Sequence, residues 1–237
     1  MERGELLYEG KAKRVYRTSD PALLIQYFKD DATAFNAQKR GTIASKGILN
    51  NRISEVLFQH LEAQGVATHF VERLSDRDML VRACEIIKIE LVARNVIAGS
   101  LATRLGRPEG EALPAPILEH YLKNDALGDP LLNDWHIRFL DLASPEELAT
   151  LNATALRVNT ILRDYLDARG IVLVDFKLEF GRHQGRLLVA DEICPDTCRL
   201  WDKATGHRLD KDRFRRDLGG VEEAYQEAAR RICGLAA

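Results

Sequence analysis

The apolar positions fall into short strand-like runs near the N-terminus and in the middle of the chain, separated by two long stretches with helical spacing. Residues 6–8 lead into Glu9, Gly10, Lys11, Ala12 and Lys13. Arg14 to Arg17, a Thr-Ser-Asp-Pro turn at 18–21 and an apolar run at 23–28 then predict a β-meander with a Gly-Lys-x-Lys tip. Residues 45–64 carry Ile48, Leu49, Ile53, Val56, Leu57 and Leu61 at helical spacing, with Ser45 placed as N-cap and Gly65 past the end. Strand character returns at 66–73 and 79–93, and the apolar part from Cys84 onward reads as a buried connection between two lobes. Residues 95–99 are expected to bend the chain, and 100–105 to form a short helix beginning at Ser100. Residues 107–134 hold Pro108, Pro114, Pro116 and Pro130 around the polar trio Lys123, Asn124 and Asp125; this reads as a long irregular segment of the kind that forms lids and binding loops. Ser144-Pro145-Glu146-Glu147 combines an N-cap, a first-turn proline and a capping-box glutamate. That helix should run to about Arg169, bury Leu148, Leu151, Ala155, Val158, Leu162, Tyr165 and Leu166, and stop at Gly170. A polar, basic segment follows residue 198, and a last helix spans 221–233.

Residues 170–196, GIVLVDFKLEFGRHQGRLLVADEICPD, are the most informative stretch. Strict alternation puts Val172, Val174, Phe176, Leu178 and Phe180 on one strand face and Asp175, Lys177 and Glu179 on the other. Ile171 and Leu173 precede Asp175 on that polar face. At about 3.3 Å per residue, Asp175 and Glu179 stand roughly 13 Å apart with Lys177 between them. His183, Gln184 and Gly185 read as a three-residue hairpin loop that pairs Arg182 with Arg186 and sets Asp191 opposite Lys177. Three carboxylates and an ammonium on one face fit a solvated surface. They also fit the floor of a cleft, where gathered oxygens suit Mg²⁺.

Composition narrows the class. At 237 residues the chain can bury a sizeable core as one large domain or two lobes. A net charge of −2, with 30% charged residues mixed along the chain, gives no electrostatic footprint for nucleic acid or an anionic membrane. Cys84, Cys194, Cys198 and Cys233 have no nearby histidine to complete a zinc set and read as buried reduced thiols. The N-terminus lacks an apolar signal core and no run reaches membrane-spanning length, so a soluble cytoplasmic protein is expected.

Gly10 with Lys11 and Lys13 suits nucleotide phosphates, though an exposed basic turn has the same pattern; the second glycine and Ser/Thr of a Walker motif are missing. Arg94 with Ser100 at a helix start suits an anion, and equally an ordinary surface arginine beside an N-cap.

Six strings in order, YEGKAKRVY (8–16), VARNVIAGS (92–100), LKNDALGDP (122–130), VDFKLEFG (174–181), DEICPDTCRLWD (191–202) and LDKDRFRRDLGG (209–220), together resemble the phosphoribosylaminoimidazole-succinocarboxamide synthase (SAICAR synthetase) family over essentially the whole chain. Lys88 departs from the proline that members often carry two residues before the glutamate at 90. The resemblance implies an ATP-dependent ligase that joins carboxyaminoimidazole ribotide (CAIR) to L-aspartate through an acyl phosphate, with Mg²⁺. It implies ATP contacts from Gly10, Lys11, Ala12, Lys13, Val15, Ile86, Lys123, Glu179 and Asp191, with Glu179 and Asp191 as metal ligands. Lys177 and Asp175 would be catalytic. Arg94, Ser100, Asp129, Asp175, Arg199, Lys211 and Arg215 would hold the substrates, and a homodimer is implied.

The expected fold is α+β and two-lobed, kinase-like or ATP-grasp-like. An N-terminal antiparallel lobe (1–85) would cover the nucleotide, a larger α/β lobe (86–237) would carry metal and substrate sites, and the ATP cleft would lie between them. A small-molecule kinase could use a related nucleotide cradle, and a non-catalytic nucleotide-binding module is a further class. The chain has no His-Arg-Asp or Asp-Phe-Gly string to serve a kinase.

Overall fold

The computed structural model describes residues 1–34 and 38–235. The meander is present as β1 (Leu6–Glu9), β2 (Lys13–Arg17) and β3 (Leu23–Phe28). A two-stranded ribbon follows, β4 (Asp31–Ala34) with β5 (Lys39–Thr42), then α1 (Lys46–Ala63), β6 (Phe70–Arg73) and β7 (Asp78–Arg82). Strands β1, β2, β3, β7 and β6 lie in that order in one antiparallel sheet. Ser45 stands at the N-cap of α1 with φ 60 and makes no capping bond. Asp30 takes that role instead: its Oδ1 accepts the Gly47 N–H at 2.9 Å, and Arg77 holds the carboxylate with two bonds of 2.8 Å.

The strand expected over 79–93 is two strands. The chain leaves the first sheet after β7, and β8 (Glu85–Val96) opens the second. It runs on through Lys88, where its register against β11 slips between Ile86 and Glu90, and also takes up Asn95 and Val96, where a bend was expected. Next come α2 (Gly99–Leu105), β9 (Ala112–Leu122), β10 (Leu131–Leu132), α3 (Asp134–Phe139) and α4 (Pro145–Asp167). Helix α2 starts one residue before Ser100, whose side chain does not cap it. The segment expected to be irregular is largely β9. Its partner β10 reaches only Tyr121 and His120, so Pro114 and Pro116 lie on an open edge where a missing N–H is tolerated. Helix α4 starts as expected: Ser144 Oγ accepts the Glu147 N–H and the Glu147 carboxylate accepts the Ser144 N–H. Its expected inner face is buried except for Tyr165, which is only half-buried.

The hairpin is β11 (Ile171–His183) and β12 (Arg186–Ala190), followed by β13 (Cys198–Asp202), α5 (Asp212–Arg215) and α6 (Val221–Cys233). The second sheet runs β10, β9, β8, β11, β12, with β13 paired to the first half of β11. Strict alternation fails at one place. Between Leu173 and Asp175 the β11–β13 register slips by a residue, a bulge at Val174. Ile171 and Leu173 therefore join Phe176, Leu178 and Phe180 in the main core, while Val172 and Val174 pack with Val96, Ala98 and Trp201. The loop is also a residue shorter than expected: His183 pairs with Arg186, and Gln184 (φ 48) and Gly185 (φ 75) make the turn. Helix α4 packs on β11 and β8, α1 packs on β3, β6 and α6, and their inward faces share one continuous core. The four cysteines are free thiols; Cys194 and Cys198 are buried, Cys84 and Cys233 half-buried.

Candidate active site

The bulge sets the site. Beyond Val174, β11 presents Asp175, Lys177 and Glu179 away from the main core while Phe176, Leu178 and Phe180 anchor the strand beneath them. Pairing of Glu179 with Ala190 would carry residue 191 to the apolar side. Asp191 escapes this by leaving the ladder in the left-handed region, φ 64, which aspartate tolerates better than most residues. Its Oδ2 then stands 3.6 Å from Lys177 Nζ, and Glu179 Oε1 accepts from the same ammonium at 2.6 Å. The two carboxylates converge.

Around this pair lies a cavity of about 200 Å³ lined by Gly10, Lys11, Ala12, Lys13, Lys123 and Asp129 with the hairpin carboxylates. Gly10 N–H bonds Lys13 O at 2.8 Å and closes the tight turn that sends both lysines to the same cavity. Lys13 pairs with Asp191 and lies 3.0 Å from Glu192 Oε2; Lys11 pairs with Asp125 at 2.7 Å. Lys123 donates to Glu179 at 2.6 Å. Glu90 and Glu192 lie outside the sequence expectations. Glu90 faces Glu179 across the β8–β11 ladder and accepts from Lys177 at 2.9 Å, a neighbourhood visible only once those strands are paired.

The electrostatics follow from burial and charge. Burial opposes the Lys177 ammonium, yet Glu179, Asp191 and Glu90 hold its pKa well above the usual lysine value. Burial likewise opposes the Asp191 carboxylate, but Lys13, Lys177 and Lys123 pull its pKa below the ordinary range. Burial raises Glu90 and Glu192, which have fewer cations to offset it. Such a set is built to exchange one arrangement of charges for another when an anion enters.

Glu90, Asp129 and Lys177 also line a second cavity, about 340 Å³, whose far walls are Arg94, Ser100, Asp175, Arg199 and Arg215. Asp175 is 3% exposed and carries two guanidinium groups, from Arg94 at 2.8 Å and Arg199 at 2.8 and 3.1 Å. Arg94 is further fixed by Glu119 at 2.7 Å, Ser100 Oγ at 3.0 Å and Tyr121 at 3.2 Å. Asp212 accepts from Arg199 Nε at 2.9 Å and Arg215 at 2.7 Å. Of the remaining expected residues, Val15 and Ile86 sit half-buried in β2 and β8 outside these two linings. Lys211 also lies outside both linings; burial lowers its pKa and Asp196, a wall of the second cavity, acts against that.

The SAICAR synthetase family model matches residues 6–232. Phosphoribosylaminoimidazole-succinocarboxamide synthase of Chlorobium luteolum is 57% identical over 237 residues, covering 100% of this chain and 99% of that one. The crystal structure of the synthase from Ehrlichia chaffeensis superposes with a TM-score of 0.95 at 45% identity, covering 98% of this chain and all of that one. A SAICAR synthetase solved in complex with ADP gives 0.94 at 48% identity over 97% of this chain and 98% of the other. These likenesses lend no support to the small-molecule kinase alternative. With the fold, the converging carboxylates and the sequence likeness in agreement, the chain belongs to the SAICAR synthetase family.

Proposed function

We propose that the protein is an ATP-dependent ligase of purine biosynthesis, joining the carboxylate of CAIR to the amine of L-aspartate and releasing ADP and phosphate. The observation that carries this reading is the meeting of two unlike cavities at Lys177, one lined by lysines and carboxylates, the other by arginines. A carboxylate repels nucleophiles and needs activation. Transfer of the terminal phosphoryl group of ATP to a carboxylate oxygen forms an O–P bond and releases ADP. The amine then attacks the acyl carbon, the C–N bond forms, phosphate leaves and the amine gives up a proton.

Lys11 and Lys13 cover the phosphates, with the Gly10 and Ala12 backbone close to them, and Val15 and Ile86 lie toward the base. Lys177 stands where the phosphoryl group and the substrate carboxylate approach and offsets their mutual repulsion. Lys123 and Asp129 frame the junction. Asp175 keeps Arg94 and Arg199 in place for substrate anions, with Ser100, Lys211 and Arg215 completing the set.

Glu179 and Asp191 fit Mg²⁺: both are hard oxygen donors gathered around the same Lys177 ammonium, and this ion takes one or two carboxylates and fills its shell with phosphate oxygens and water. When bound, it supplies charge neutralisation for phosphoryl transfer. The lobe division at 1–85 and 86–237 is supported by the change of sheet between β7 and β8. We place the protein in the cytoplasm, acting on small molecules rather than nucleic acid or membrane; no helix of the described residues is long and apolar enough to cross a membrane. Homodimer formation is supported by the apolar face of α3, where Trp135 is 74% and Phe139 89% exposed.

Asp191→Asn tests the metal assignment. Turnover is expected to fall at least about 100-fold while nucleotide affinity changes far less. Full turnover with unchanged magnesium dependence would remove Asp191 from that role.

A further inference from the structure

Behind the arginine-lined cavity, a ring of charged groups closes around the corner that carries Ser100. Glu109 stands in the loop between α2 and β9. Its Oε1 accepts the Gly99 backbone N–H at 2.8 Å, and its Oε2 accepts from Arg208 and from Arg216, each at 2.9 Å. Arg216 Nε lies 3.9 Å from Asp212 Oδ2, the carboxylate that holds Arg199 at 2.9 Å and Arg215 at 2.7 Å. Arg199 in turn packs on Gly99. A Cβ at that position would stand 2.4 Å from its guanidinium, and the backbone there has φ +53. The ring therefore runs from Glu109 through Gly99, Arg199, Asp212 and Arg216 back to Glu109.

Two consequences follow. The corner and Arg199 are in contact and are linked through Glu109, Arg216 and Asp212, which favours orienting donors to an incoming anion before it arrives. Glu109 also sets a negative charge against Arg208 and Arg216, which lie outside the cavity lining; Arg216 is repelled by Arg199. Side-chain bonding to Arg216, aided by the Gly99 N–H, holds the Glu109 carboxyl down to about 2 against its burial, so it stays charged at neutral pH.

The corner lies at the end of the cavity remote from the chemistry. Along β11, Asp175 is two residues, roughly 7 Å, from Lys177, and Arg199 and Ser100 lie beyond Asp175 through its arginines. A ribotide whose carboxylate reaches Lys177 extends its own phosphate toward this end.

We propose that Glu109 is a positioning residue for the phosphate of the ribotide substrate, acting through Gly99 and, by way of Arg216 and Asp212, through Arg199. This rests on the reading that the arginine-lined cavity takes CAIR.

The test is calorimetric titration of wild type, Glu109→Ala and Glu109→Gln with CAIR and with the same compound lacking its phosphate. Glu109→Ala is expected to weaken CAIR about tenfold and to leave the dephosphorylated compound, and the KM values for ATP and L-aspartate, within about twofold. Glu109→Gln keeps a carbonyl for the Gly99 N–H but cannot neutralise two arginines, so an intermediate loss is expected. Equal losses for both ligands, or none for either, would overturn the proposal. Wild-type protein that bound neither ligand would overturn the substrate reading as well.

Discussion

Lys177 is where the two cavities meet, and its surroundings decide what it can do. Three carboxylates, Glu90, Glu179 and Asp191, lie within 4 Å of its ammonium, at 2.9, 2.6 and 3.6 Å. They hold its pKa well above the usual lysine value, and on the proposed reading it serves as an electrostatic partner. Lys177→Met keeps the length of the side chain and removes the charge. Ligase turnover is expected to fall about 10²–10³-fold, the scale of losing one preorganised donor, with the KM for ATP changing much less. A steady-state comparison with both substrates saturating checks this. Much of the lining of the two cavities was legible because short strings carry its charged residues. Glu90, Glu119 and Asp212 were not, since each acts across strands or loops whose pairing no local pattern reveals.

At the scale of elements, the strongest local signal held, while weaker ones such as the Ser45 cap, and those set by distant strands, did not. The capping box of α4 depends on four adjacent residues, so Ser144 and Glu147 could be read directly. The bulge at Val174 could not, because valine suits either face and the slip is dictated by β13, more than twenty residues away. Proline-rich β9 was hidden because its prolines fit only an edge, which is a property of the assembled sheet.

Glu147 gives this scale a pH test. Arg182, bonded to it at 2.6 and 2.9 Å, and the Ser144 N–H lower its pKa from 4.5 to about 2 against burial. A carboxylate whose folded pKa is depressed stabilises the fold fully above its unfolded pKa and loses that contribution as pH falls toward about 2. Glu147→Gln is expected to cost about 1 kcal/mol at pH 7, typical of a helix cap with a partly exposed ion pair. In urea denaturation the gap between variant and wild type should shrink when the pH is lowered to about 3; a gap independent of pH would contradict the assignment.

At the scale of the molecule, the two sheets are joined by more than the chain passing from β7 to β8. Residues 67–69 run parallel to β12, with Val189 N–H on Ala67 O at 3.0 Å and His69 N–H on Val189 O at 2.9 Å. Lys13 from the first sheet meets Asp191 from the hairpin of the second. The cavity lined by lysines and carboxylates is thus assembled from both sheets, whereas the arginine-lined one is built by the second sheet, α2 and the C-terminal segment. That division matches a reaction in which activation at one end serves bond formation at the other.

ADP release with each substrate omitted in turn tests this account most directly. Linked activation and ligation require ADP to form at the full rate only when ATP, Mg²⁺, CAIR and L-aspartate are all present, in one-to-one proportion with the C–N bond made. ADP formed at that rate with CAIR absent, or transfer of phosphate to a hydroxyl acceptor, would contradict it.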